Sequence, residues 1–199
     1  MKVIGLCGGS GSGKGSVCRA FSRYDIPSVD ADAVYHYLTS SPGACLDELK
    51  AEFGQSVVKN GALDRSVLRE LVFSGEDAPV KQARLNSITH KYVLDEIRKL
   101  ISTYRNDGRK GVLVDAPMLF ESGFDKECQY TIAVTADQNV RIARIMLRDS
   151  ITFDQAYRRI SLQKSDSWLI ENTDFHIFNN STLDDLADRV AQIYNQIFC

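Results

Sequence analysis

The 199-residue chain has no apolar run approaching the ~20 residues that cross a bilayer, so no membrane-spanning helix is expected. It also has little net charge. With 24 Lys and Arg against 26 Asp and Glu, the formal charge of -2 excludes the broad basic field of a polyanion-binding protein, and any basic site has to be local. The amino terminus opens directly on KVIGLC, without the charged leader, apolar core and small-residue cleavage site of a secretory signal, and a cytoplasmic location is expected. The cysteines Cys7, Cys18, Cys45, Cys128 and Cys199 are odd in number and show no C-x-x-C spacing. That pattern argues against disulfides and a zinc site and for reduced, mostly buried thiols. Internal repeats, low-complexity tracts and long linkers are missing, and the single tryptophan, Trp168, carries no functional signal. One compact unit with small excursions is expected, because a chain of this length buries roughly 70–75% of its unfolded surface.

What the sequence does have is alternation. Strand-length apolar runs, KVIGLC, IPSVDAD, GVLVDAPMLF and YTIAVTA, are interleaved with segments of helical period. This is the pattern of an α/β fold, and the low internal alternation of the later runs places them as buried strands of a parallel sheet. A helix is expected from Lys14 to about Tyr24. Between Tyr35 and Arg105 the chain is rich in helix, and Val93, Leu94, Ile97, Leu100 and Ile101 form an apolar stripe. In that region KNGA supplies an Asn-Gly turn suited to a small hairpin. A third, arginine-dense helical section follows the last buried run, and FNNSTLDDL leads into a closing amphipathic helix.

The chemistry concentrates near the amino terminus. Gly8 to Lys14, GGSGSGK, fits G-x-x-x-x-G-K directly after a strand and before a helix. Glycines let the backbone curl so that its N–H groups point inward, the helix dipole adds positive potential, and Lys14 reaches the outer phosphates. Gly15 stands where a Ser or Thr hydroxyl usually touches Mg²⁺, and Ser16 is the next hydroxyl available for phosphate or metal. This GKGS form is similar to the GKGT variant of adenylate kinase-like enzymes. In VDAD, Asp30 and Asp32 are two residues apart, so on extended backbone both point to one side. One carboxylate is suited to hold hydrated magnesium while the other accepts a proton from an acceptor hydroxyl. Asp32 also fits a helix cap, for a helix beginning near Ala33. Asp115, ending VLVD, has the Walker B pattern and suits contact with magnesium through water or orientation of a substrate. Arg141, Arg144 and Arg148 share a helical face, followed by Arg158 and Arg159; the group reads as a lid over a triphosphate or as a solvated basic face, with Asp149 and Asp154 as pairing candidates.

Over nearly its whole length the chain resembles the dephospho-coenzyme A kinase family. The resemblance is carried by GLCGGSGSGKGSV, VDADAV, FGQSVVKNGALDRSVLRELVF, LNSITH, VLVDAPMLFESG, RIARIMLRDSITFDQAYRRISLQ and FNNSTLDDL. It implies a P-loop NTPase fold, a parallel sheet flanked by helices, with a core of residues 1–34, 110–140 and 170–199. A helical acceptor-binding insertion is expected at about 35–109 and a helical lid at about 141–169. It also implies transfer of the ATP γ-phosphoryl group to the ribose 3′-hydroxyl of dephospho-CoA, with Mg²⁺. By position, Asp32 matches the general base and Asp30 a metal partner, with Ser16 and Asp115 as further metal candidates. Gly11, Ser12, Gly13, Lys14, Gly15 and Ser16 match the ATP loop, Arg144 and Arg148 the lid arginines, and Asn179 the turn that approaches adenine. Asn86, His90, Asp115, Leu119 and Glu121 match the acceptor region. Against the family pattern, Gly15 replaces the usual Ser, His90-Lys91 the common His-Pro, and Thr173-Asp174 the usual Ala-Asp. The expected partner is this small-molecule substrate, without nucleic acid or membrane, on a monomer or weak oligomer. The alternatives are a P-loop kinase of another small metabolite, or a non-catalytic nucleotide sensor. A GTPase-like switch lacks its N/T-K-x-D and D-x-x-G signatures, since Asp115 is followed by APM.

Overall fold

The computed structural model describes residues Met1–Cys199. A five-stranded sheet is built from β1 (Lys2–Cys7), β2 (Ser28–Asp30), β5 (Gly111–Asp115), β6 (Tyr130–Thr135) and β7 (Phe175–Phe178), in the order β2-β5-β1-β6-β7. The pairs β1–β5, β1–β6 and β6–β7 are parallel. Burial of β1, β5 and β6 along nearly their full lengths explains why those runs lack polar alternation. The apolar run expected through Phe120 ends as a strand at Asp115, where Pro117 follows in a turn.

Two compact units divide the chain: residues 1–29 with 103–199, and residues 30–102. In the first, α1 (Lys14–Ser22) and α9 (Leu183–Phe198) pack on the sheet through Val17, Phe21, Val190 and Ile193, with Ile4, Leu6, Leu113 and Ile132 beneath them. The helices α6 (Gln138–Asp149), α7 (Phe153–Ser161) and α8 (Asp166–Glu171) form the arginine-rich section, with Ile142, Ile145, Ala156 and Ile160 as a small core of their own. Capping boxes at Thr152–Gln155 and Thr182–Asp185 start α7 and α9, so each helix begins where a hydroxyl can accept from an otherwise unpaired backbone N–H.

In the second unit, α2 (Ala31–Thr39), α3 (Ala44–Phe53), α4 (Arg65–Phe73) and most of α5 (Ala78–Asn106) enclose Cys45, Leu49, Phe53, Leu68, Val72 and Ile88. The Asn-Gly turn closes the antiparallel hairpin β3 (Val58–Lys59) and β4 (Ala62–Leu63). Asn60 and Gly61 both take positive φ, 53° and 77°, as this tight turn requires. The helix α5 runs without interruption through His90-Lys91. The cysteines are free, as expected; Cys7 and Cys45 are buried, Cys18 and Cys128 half-buried, and Cys199 is exposed. No helix is long and apolar enough to cross a membrane.

Candidate active site

The phosphate loop leaves β1 at Cys7 and enters α1 at Lys14. Gly8, Gly11 and Gly13 take φ of 151°, 77° and 97°, conformations that side chains rarely adopt. Space forbids a side chain as well: a Cβ on Gly13 would stand 2.0 Å from Asn179 Nδ2. Gly13 caps α1 without any side-chain hydrogen bond, so the first amides of the helix and its positive dipole end are offered by the backbone alone. Ser12 is fully buried, and its hydroxyl has no hydrogen-bond partner. A tight glycine cradle, an uncapped helix start and a buried hydroxyl donor together fit an oxyanion ligand of the size of a phosphate.

Lys14 Nζ donates to Gly8 O at 3.0 Å and lies 3.7 Å from Asp115 Oδ1, with both side chains largely shielded from solvent. The parallel register that sets Leu6 opposite Asp115 brings this carboxylate beside the loop. Ser16, in the first turn of α1, accepts from Arg19 at 2.8 Å, and Gly15 has open space around its missing side chain, with the Arg19 guanidinium 3.8 Å away. The thiol of Cys7, just before the loop, is pushed up to about 12 by burial, against the opposing pull of Lys14, and is therefore not a nucleophile.

Three side chains hold the outside of the loop by its carbonyls. Arg144 donates to Gly11 O at 3.2 Å and to Asn179 O at 3.0 Å, and the buried Asn179 donates to Ser12 O at 2.7 Å. Arg141 donates to Ser10 O at 2.9 Å. The shared arginine face is therefore three environments: Arg141 is buried, Arg144 is half-buried against the loop, and Arg148 is exposed and paired with Asp149 at 2.7 Å. Asp149 also pairs with Arg159, and these contacts hold its carboxyl down at about 2, the Arg148 hydrogen bond contributing most. Sequence reasoning missed Gln163 and Asp166, both bonded to Arg141. No spacing signal connects them to a loop more than 150 residues away.

Of the remaining predicted residues, Leu119 and Glu121 belong to the first unit and Asp30, Asp32, Asn86 and His90 to the second. Leu119 is fully buried against Gly5 of β1. Glu121 pairs with Lys164 at 3.3 Å, and Lys164 lies 3.6 Å from the centre of the Trp168 ring, which meets Phe120 edge-on. In the second unit, Asn86 and His90 are half-buried one turn apart on α5. Strand β2 ends at Asp30 and α2 starts at Ala31, so the two aspartates do not share an extended backbone, and the cap is not Asp32. Asp30 is the cap: its Oδ1 accepts from Asp32 N at 2.9 Å and Ala33 N at 3.1 Å, while Asp32 stands exposed in the first helical turn.

At the end of β7 and the start of α9, a cavity of about 450 Å³ is lined by Phe178, Asn179, Thr182, Asp185, Arg189 and Gln192. It adjoins the loop through Asn179.

The sequence model described as dephospho-CoA kinase matches residues 2–185. A protein of Corynebacterium glutamicum named dephospho-CoA kinase is 33% identical over 99% of this chain and 98% of its own. One of Fusobacterium nucleatum with the same name is 34% identical over 98% of each chain. A crystal structure of TT1252 from Thermus thermophilus superposes with a TM-score of 0.84 at 26% identity, covering 100% of this chain and 98% of that one. The glycine cradle with its lysine and strand-end carboxylate, and the match along almost the full length, lead to one conclusion: the chain belongs to the dephospho-CoA kinase family.

Proposed function

We propose that the protein transfers the γ-phosphoryl group of ATP to the 3′-hydroxyl of the ribose of dephospho-CoA, giving CoA and ADP. The observation that carries the phosphoryl-donor side of this reading is the loop, where Lys14 and Asp115 stand 3.7 Å apart beside Gly8, Gly9, Gly11 and Gly13, none of which has room for a Cβ, while membership of the family supports the acceptor. In phosphoryl transfer the protein mainly positions the reactants and stabilises charge, and the loop supplies both functions. Backbone amides and Lys14 hold the β- and γ-phosphates. The cavity beside Asn179 has the size and polar lining to take the nucleoside end of ATP.

The acceptor oxygen attacks the γ-phosphorus, the bond to the bridging β–γ oxygen breaks, and the acceptor's proton passes to Asp32 as general base. Arg144 and Arg148 offset negative charge as it moves to the leaving diphosphate. Asn86, His90, Leu119 and Glu121 are assigned to the acceptor side. Mg²⁺ fits the donor set in one way only: no three His, Cys, Asp or Glu residues converge on a metal cage, so the ion would be carried mainly by phosphate oxygens and water, as Mg²⁺ prefers. Asp115 and Ser16 are the residues that would meet that hydrated ion, which would neutralise phosphate charge when bound. Asp30 caps α2 through its Oδ1, which accepts from two backbone amides, and its other carboxylate oxygen is assigned to the same hydrated ion. The reaction is assigned to the cytoplasm.

The test is ADP release with ATP and Mg²⁺, offering dephospho-CoA, adenosine, AMP, shikimate and gluconate in parallel with a no-acceptor control. Stimulation by dephospho-CoA alone is expected, and preference for another acceptor would overturn the substrate. Asp32→Asn should lower turnover at least ~10²-fold with ATP affinity little changed. Near-normal turnover in that variant would remove Asp32 from the base role.

A further inference from the structure

The arginine-rich section has one member that contributes no exposed charge. Arg141 is 4% exposed, and all three nitrogens of its guanidinium are engaged. Nε donates to Ser10 O at 2.9 Å, Nη1 to Asp166 Oδ1 at 3.1 Å, and Nη2 to Gln163 Oε1 at 2.8 Å. Gln163 in turn grips Ser10 twice. Its Oε1 accepts from Ser10 N at 3.0 Å, and its Nε2 donates to Ser10 Oγ at 3.1 Å. Burial pulls the Arg141 pKa below its ordinary value, while Asp166 acts in the opposite direction.

A buried guanidinium is costly unless its donors find acceptors, and one bonded through all three of its nitrogens is held close to a single geometry. Here each bond ends either on Ser10 or on the segment around the start of α8. Two glycines of the loop are shaped by the same contact: a Cβ on Gly9 would lie 2.0 Å from Arg141 Nη2, and one on Gly11 would lie 2.6 Å from the Arg141 carbonyl oxygen. Close approach of α6, as well as phosphate, therefore dictates glycine at these two positions. The Ser10 amide is turned toward Gln163 and so is withheld from any anion in the cradle.

We propose that Arg141 and Gln163 are positioning residues of the phosphate loop. They act through Ser10, hold the loop in its phosphate-receiving shape, and make that shape depend on the connection between α7 and α8. The planar fork of Arg141 is essential to this role, because a lysine cannot serve three acceptors in those directions. The inference rests on the loop being the ATP site.

The experiment measures ATP affinity by equilibrium titration, together with kcat and both KM values, on wild type, Gln163→Leu, Gln163→Glu, Arg141→Lys and the Arg141→Lys/Gln163→Leu double variant, each checked for folding by circular dichroism. Gln163→Leu leaves Ser10 N–H and Arg141 Nη2 without an acceptor and should weaken ATP binding about 10-fold. Its kcat at saturating ATP should stay within about 3-fold, and its KM for dephospho-CoA should not move. Gln163→Glu keeps the acceptor and should recover most of the affinity. The double variant should be little worse than the weaker single variant, because both substitutions break one network. Unchanged ATP affinity in folded Gln163→Leu would overturn the positioning role, as would a parallel loss of ATP affinity, acceptor KM and thermal stability. If Gln163→Leu does not fold, Arg141→Lys decides by the same criteria. Wild type that binds no ATP would instead overturn the loop assignment itself.

Discussion

Helices α1 and α2 each follow a strand of the same sheet, yet their amino-terminal ends are finished in opposite ways. The first is capped by Gly13, left-handed at φ 97°, with no side chain bonded to its amides. The second is capped by Asp30, extended at φ -95°, whose carboxylate takes two amides for itself. Both ends carry the same partial positive charge from aligned peptide dipoles. One is neutralised from within the chain; the other has no side chain on its amides, and on the proposed function it takes a phosphate of ATP. On that proposal a single residue decides whether a helix start is a structural cap or an anion site.

That contrast can be broken by exchanging the two solutions. Gly13→Asp puts a side chain where φ is positive, drives its Cβ against Asn179, and sets a carboxylate at the place meant for phosphate. ATP-dependent turnover should fall about 10³-fold, measured as kcat/KM, on the scale of losing a preorganised oxyanion site. Retained turnover would show that the start of α1 is not where phosphate is held. The reverse exchange is milder. Asp30→Ala should cost ~1 kcal/mol of stability in urea unfolding, as cap removal does, with turnover within about 3-fold. A large loss of turnover at unchanged stability would give Asp30 a metal role beyond the cap.

The smallest effect concerns the other end of a helix. Asp149 closes α6, where a negative charge is disfavoured by the dipole, and Arg148 and Arg159 offset it. Its carboxyl is held at about 2, below the ordinary ~3.9, so its contribution to stability is present at neutral pH and is lost as pH falls from about 4 to about 2. The gap in melting temperature between wild type and Asp149→Asn should therefore close across that window, and a gap independent of pH would sever the pairing from stability.

The parts of this molecule that could be read in the sequence are those whose cause is local. The Asn60-Gly61 turn, the loop from Gly8 to Lys14 and the carboxylate at the end of VLVD each depend on a few adjacent residues and their backbone preferences. The arginines show where such reading stops. Helical spacing correctly puts Arg141, Arg144 and Arg148 on one face, but period says nothing about what lies opposite successive turns of that face. Arg141 meets Ser10, Gln163 and Asp166, Arg144 meets Gly11 and Asn179, and Arg148 meets Asp149. The start of α2 was misread for a related reason. Two aspartates in VDAD are equally good caps by type, and the end of β2 at Asp30 decides between them.

By itself the sequence determined the α/β alternation, the glycine loop with its lysine, the helical character of residues between β2 and β5, and the family, because these rest on short-range pattern and on residue types that few other arrangements tolerate. Tertiary structure alone decided which arginine is buried, that Gln163 takes the Ser10 amide, that Asp30 rather than Asp32 caps α2, and that Asn179 holds the Ser12 carbonyl. The loop contacts depend on which hydrogen-bond partners the parallel strands and their crossovers bring within 3 Å or so, and partners more than 100 residues apart leave no periodic trace along the chain; the α2 cap, made between residues two and three positions apart, depends instead on where β2 ends.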